Sequence, residues 1–158
     1  MSETDYEVPE VPEKDIFDTA IDNKRAGEEE KKLLPPQGWY TTEVGSVTVR
    51  AYKDEKHDGR RVASFFGTLI NNKDSEITTK QGFRLSPDYV ESERNPGQAD
   101  WNHAMFLKAR RAFIESTGTE PEKDGDVIRF MAEYPVQVRL SHTKDAEVMV
   151  VAFRAVKE

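Results

Sequence analysis

Hydrophobic and polar residues alternate along most of the second half of this chain, and the places where the alternation changes phase are informative. From Gly38 to Tyr52, Tyr40, Thr42 and Val44 share one parity, and Val47, Val49 and Ala51 take the other. A flip at Gly45-Ser46 predicts a long strand with a β-bulge, the device that turns and coils a strand midway. RRVASFFGTLI (60–70) and EITTKQGFRL (76–85) are rich in β-branched and aromatic residues and read as two further strands, separated by the NNKDS turn. PVQVRLSHT (135–143), a KDAE turn and VMVVAFRAV (148–156) read as a closing hairpin, with Val136, Val138 and Leu140 facing inward. Between the third strand and the hairpin, helical spacing replaces alternation. Asp100 caps a helix over 101–117, whose stripe of Trp101, Ala104, Met105, Ala109, Ala112 and Phe113 ends at Gly118. VIRFMAEY (127–134) reads as a short second helix.

The residues before this body behave differently. Residues 1–13 combine acids with spaced prolines and bury too little to order themselves. Over 15–33, Ile16, Phe17, Ala20 and Ile21 fit one helical face, with Asp15 as its cap. The expectation is a frayed, solvated helix or an acidic segment that docks through that stripe. Leu33-Leu34-Pro35-Pro36-Gln37-Gly38 ends any helix and divides the chain into a segment of residues 1–33 and a domain of residues 34–158.

Charge sharpens the division. The chain of 158 residues has a formal charge of −7, and its first 33 residues hold eleven carboxylates against five cations. The remaining 19 acids and 18 bases nearly cancel. The acidity therefore belongs to the N-terminal segment, and a near-neutral body can still bind nucleic acid if its cations share one face. With no cysteine, disulfides, thiolate metal sites and thiol nucleophiles are excluded. No apolar run reaches the ~18–20 residues of a membrane span, and no secretory leader is visible, so a cytoplasmic location is expected.

Catalytic signatures are missing. His57, His103 and His142 fall in a loop, a helix and a strand end without metal-ligand spacing, and His57 and His142 read as solvated. There is no phosphate loop or GxSxG, and the body's acids lie mostly in loops. The reading is no enzyme, no catalytic residue, no metal and no cofactor.

Five strands with a helix between the third and fourth is the order of an OB-fold barrel. The expected fold class is therefore mainly β: an OB-fold-like five-stranded barrel, preceded by the acidic N-terminal segment. Such barrels hold single strands by cations on phosphates and aromatic faces under bases. Strand parity turns Arg50 and Tyr52 outward on the first strand and Arg139 and Arg154 outward on the hairpin. Arg61 opens the second strand, and Lys80 and Arg84 bracket Phe83 on the third. Either Phe65 or Phe66 faces out, with Phe66 chosen. The nucleic-acid-binding candidates are thus Arg50, Tyr52, Arg61, Phe66, Phe83, Arg84, Arg139 and Arg154, while Trp39 and Trp101 are assigned to the core.

The runs LLPPQGWYTTEVGSVTVRAY, GRRVASFFGTL, GFRLSP, WNHAMFLKARRAF and PVQVRLSHT…EVMVVAFRAV, spanning about residues 34–156, resemble small phage-encoded single-stranded-DNA-binding proteins with an OB-fold. The resemblance implies a replication or recombination accessory that coats single-stranded DNA in the host cytoplasm. It leaves oligomerisation open. In familiar bacterial single-strand-binding proteins the acidic partner-docking tail is C-terminal, whereas here the acidic stretch comes first. That stretch would either compete with DNA or recruit replication or recombination proteins. The rival expectation is a protein-interaction or virion-assembly module on the same barrel, with a metal-dependent nuclease a distant third.

Overall fold

The computed structural model describes residues 17–53 and 59–156. Its elements are α1 (Asn23–Leu33), β1 (Gly38–Ala51), β2 (Arg61–Asn71), β3 (Thr78–Leu85), α2 (Trp101–Thr117), α3 (Asp124–Glu133), β4 (Val136–His142) and β5 (Val148–Ala155). The strands form one sheet in the order β3-β2-β1-β4-β5, with every neighbouring pair antiparallel. β1 pairs with β2 along nearly its whole length but with β4 only over Gly38–Thr41. Beyond that point the Thr42 hydroxyl accepts from the Val136 N–H at 3.0 Å and pairing stops.

The sheet curls into a half-barrel. Its two end strands approach one another, with Gln81 Nε2 donating to the Val148 carbonyl at 3.2 Å and the Phe83 and Phe153 rings 5.0 Å apart. The expected bulge is where the curl begins: Val44 pairs with Gly67 and Ser46 with Phe66, leaving Gly45 as the extra residue. The strands come so close there that a Cβ on Gly67 would stand 2.3 Å from the Glu43 carbonyl oxygen. A second irregularity lies between Arg139 and Leu140, where Val151 is the surplus residue of β5.

The core follows the strand parity. Tyr40, Phe65, Leu69, Leu85, Val136, Val138 and Leu140 turn inward, and Met105, Ala109, Ala112, Val127 and Met131 of the helices cover them. Tyr40 also ties the start of β1 to the preceding turn, its hydroxyl donating to the Pro36 carbonyl at 2.7 Å. Past the bulge, Val47 packs against this core, but Val49 is 60% exposed over the open mouth of the barrel, in a hollow it shares with Pro87 and the start of α3. Inward parity therefore does not guarantee burial where β1 outruns the core.

α2 has the expected ends: Asp100 Oδ1 accepts from the His103 N–H at 3.2 Å, and Gly118 takes the left-handed conformation at φ 75°. It lies along the otherwise open edge of β5, where Lys108 Nζ donates to the Val151 carbonyl at 2.7 Å and Glu115 accepts from the Ala155 N–H. α3 begins where the Asp126 carboxylate accepts from the Glu122 and Lys123 N–H groups. Two helices thus separate β3 from β4, the second where the sequence predicts a short one over 127–134.

Residues 17 and 18 are helical, and the expected start of that helix at Asp15 lies outside the described residues. After a break at 19–22 the chain enters α1 at Asn23, where the Asp22 carboxylate takes the Arg25 N–H at 3.1 Å. Arg25 and Glu29 pair one turn apart, and Lys31 and Lys32 sit at the negative end of the helix dipole. Phe17 and Ile21 precede it and are exposed, and α1 buries none of its residues. Ile16, Asp15 and the whole of residues 1–13 lie outside the described residues, as do His57 and most of the 53–59 loop. His142 is not a solvated side chain: it is half-buried, with Nε2 2.7 Å from the Pro35 carbonyl. No helix among the described residues is long and apolar enough to cross a membrane.

Candidate nucleic-acid interface

The outer surface of β1, β2 and β3 is built by the same alternation that fills the core. Register places Thr48 beside Ser64, Arg50 beside Val62, Ser64 beside Arg84, Phe66 beside Gly82 and Thr68 beside Lys80. Their neighbours Ala63, Phe65, Phe83 and Leu85 consequently turn inward. Three shallow hollows run into one another across this surface. Thr48, Arg50, Tyr52, Val62, Ser64 and Arg84 line the first. Ser64 and Arg84 continue into the second, which adds Phe65, Phe66, Gly82, Phe83, Trp101 and Asn102. Phe66 continues into the third, with Thr68, Lys80 and Glu43. The result is a single track crossing the three strands.

Phe66 projects into the middle of the track and is 51% exposed. The strand opposite it carries Gly82, where a Cβ would stand 2.9 Å from the Phe65 carbonyl oxygen and at an ordinary 3.6 Å from Phe66 Cδ2. Tyr52 and Trp101 are exposed toward the two sides. Among the described residues, Arg50, Lys80 and Arg84 make no ion pair, and Glu43 is the one acid lining these hollows. Unneutralised cations between exposed rings can bind a polyanion whose bases are free to stack.

Four of the eight sequence candidates meet on this surface: Arg50, Tyr52, Phe66 and Arg84. Arg61, Arg139 and Arg154 stand elsewhere, and Phe83 reaches the second hollow only from beneath, each for a physical reason. Phe83 is a core residue, stacked on Phe65 with ring centroids 4.9 Å apart and buried to 9%. Because Phe65 and Phe83 are cross-strand partners, they must share a face, and Phe66 takes the outward one.

Arg61 has the inward parity and is already engaged. It binds Asp88 through two side-chain contacts at 2.7 and 3.1 Å and Asp124 at 2.9 Å, clamping β2 to the 86–99 loop and to α3. These hydrogen bonds raise the Arg61 pKa further above its ordinary value, the Asp88 bond being the larger cause. The same guanidinium holds the Asp88 carboxyl below the usual carboxylate range. Arg139 and Arg154 lie around the barrel, on β4, which pairs with the first residues of β1, and on β5 beyond it. Arg139 is paired with Trp39 in the register, and the Arg154 guanidinium lies 3.9 Å over the Trp39 ring.

Trp101 is the residue missed from sequence. It continues the apolar stripe of α2 four residues before Met105, but its position in the first turn overhangs the end of the core and leaves it 49% exposed. Arg60 fixes where that turn sits. Its buried guanidinium donates to Ser86 Oγ at 3.2 Å and to the Asp100 carboxylate at 2.7 Å, joining β2 to the cap of α2. The sequence signal for this was the cap itself, since whatever holds Asp100 also places the residue after it.

Among the described residues, no group of three or more histidine, aspartate or glutamate side chains stands close enough to hold a metal ion. Comparison with protein-family models, curated proteins and solved structures finds no match to this chain. The functional reading therefore rests on the geometry of the track.

Proposed function

We infer that this chain is a single-stranded-DNA-binding protein of the OB-fold type, non-enzymatic and independent of sequence. The fold assignment is supported by the strand order, by the approach of β3 to β5, and by helices inserted between the third and fourth strands. The observation that carries the functional reading is the track on β1–β3, where Arg50, Arg84 and Lys80 make no ion pair among the described residues and stand beside Phe66, Trp101 and Tyr52. The cations take phosphates and the rings take base faces, which are accessible only in an unpaired strand. A protein-docking surface would favour exposed rings with few converging cations; three cations along the track favour a polyanion. A place in phage replication or recombination follows from the resemblance of residues 34–156 and forms part of the proposal.

Titration of a fluorescent oligothymidine with the full chain tests this. Affinity should exceed that for duplex of equal length. If all three cations reach phosphates, log K should fall with log salt at a slope of about −2, from −0.7 per phosphate on a single strand. Phe66→Ala should weaken binding by roughly 5- to 150-fold, the equivalent of ~1–3 kcal/mol per stacked base. Equal or tighter binding to duplex, or affinity indifferent to both salt and Phe66, would overturn the reading.

A further inference from the structure

A second basic surface, at the other end of β1, has its own chemistry. Arg139 stands across from Trp39 in the register. Arg154 covers the Trp39 ring at 3.9 Å and donates through Nε to Gln137 Oε1, which fixes the guanidinium in place. Neither arginine makes an ion pair among the described residues. With Arg154 over the indole, that ring face is closed to a stacking base. What remains is the in-plane fork of a held guanidinium next to a second, exposed one, an arrangement that matches carboxylates.

The acidic end of the chain enters the barrel at this surface. Gln37 Oε1 accepts from the His142 N–H at 2.9 Å and from Ser141 Oγ at 3.3 Å, pinning the residue two before Trp39 to the end of β4. Residues 1–16 carry six carboxylates and a single lysine. The 11 residues of α1 span about 16 Å at ~1.5 Å per residue. Sixteen extended residues reach as far as ~50 Å, more than the length of that helix.

We propose that residues 1–16 bind in cis, as an acidic peptide, to the surface formed by Trp39, Arg139 and Arg154. Tethering raises the local concentration of such a segment to the millimolar range, so individually weak carboxylate–guanidinium contacts suffice. Arg50 lies at the opposite end of the 14-residue β1, farther from the tether. The proposal is independent of what the β1–β3 track binds.

The absence of cysteine makes the test clean, because a nitroxide on Thr4→Cys labels one position of the full chain. In dilute solution the label should strongly broaden the backbone amide signals of Arg139, Ala152 and Arg154, while those of Ser64 and Arg84 keep theirs. The broadening should vanish in Arg139→Gln/Arg154→Gln, persist in Arg139→Lys/Arg154→Lys, and fade near 1 M salt, where the Debye length is about 3 Å. Broadening centred on Ser64 and Arg84, or no broadening, overturns the proposal. Broadening seen only when labelled chains are mixed with separate isotope-enriched chains overturns docking in cis and assigns the surface to a second copy's N-terminus. Oligonucleotide affinity is measured separately, so failure here and failure of the DNA-binding reading remain distinct.

Discussion

Gly67→Ala should be among the most damaging single-methyl substitutions in this protein. The added carbon would lie 2.3 Å from the Glu43 carbonyl oxygen, 2.7 Å from Val44 Cα and 2.8 Å from the Gly45 nitrogen. All three are backbone atoms of the adjacent strand, so no side chain can rotate away. Overpacking that side chains absorb costs ~1–3 kcal/mol. Here relief requires opening the β1–β2 ladder at the bulge, which adds the loss of one or two hydrogen bonds at ~0.5–1.5 kcal/mol each. The expected cost is about 3 kcal/mol or more, against a total stability on the order of 5–15 kcal/mol. Gly45→Ala is the internal control, because its added carbon would meet only the Phe66 carbonyl oxygen, at an ordinary 3.6 Å. It should stay within about 0.5 kcal/mol of the parent, as substitutions without a named mechanism do. Urea denaturation followed by far-ultraviolet circular dichroism reads both; with m near 1–3 kcal/mol per molar, Gly67→Ala should lower the midpoint by roughly 1–3 M. If the two variants unfold together, the close approach at the bulge is wrong.

Phe66→Ala and Phe83→Ala should separate function from stability. The first should reduce oligonucleotide affinity with little change in urea midpoint, whereas the second should destabilise by ~3–5 kcal/mol through a core cavity. The Asp88 carboxyl is held low by Arg61, so its contribution is present above an unfolded value of about 3.9 and is lost as pH falls through its lower folded value. Asp88→Asn should therefore narrow its stability gap to the parent as urea midpoints are followed below pH 4; an unchanged gap would contradict the clamp. That gap should be about 1 kcal/mol at neutral pH, since both partners are partly solvated. Arg60→Leu should cost about 3–5 kcal/mol by leaving the Asp100 carboxylate without its buried partner, a loss readable from the same denaturation curves. Replacing Asp100 by Asn in that variant should recover part of it.

Much of the fold was legible because local pattern and tertiary structure agree. Two apolar runs of opposite parity meeting at Gly45-Ser46 allow only a bulge, and Asp100 with Gly118 brackets α2 by its caps. The acidic segment was harder, since one apolar stripe over 15–33 does not reveal the break at 19–22 after which Asp22 caps a separate helix. On the track, parity pointed to Arg50 and Tyr52, whereas Arg84 was named for its place beside Phe83. Parity could not choose between Phe65 and Phe66, because adjacent aromatics satisfy either register until β3 is aligned. The partners that engage Arg60 and Arg61 lie 40, 27 and 63 residues away, at Asp100, Asp88 and Asp124, beyond any local rule. Arginines with the same sequence surroundings thus divide into a buried strut, a clamp and open cations.

The seam between β1 and β4 has a kinetic consequence. Gly38 pairs with Leu140 and Thr41 with Gln137, contacts that close loops of about a hundred residues, whereas β1, β2 and β3 follow one another as hairpins. Loop closure is entropically slower the farther apart the partners lie. The meander carrying the track can therefore zip early, and sealing the barrel comes last, waiting on both helices. Lengthening the 86–99 or 118–123 connections should then slow the final step while leaving the assembly of the first three strands untouched.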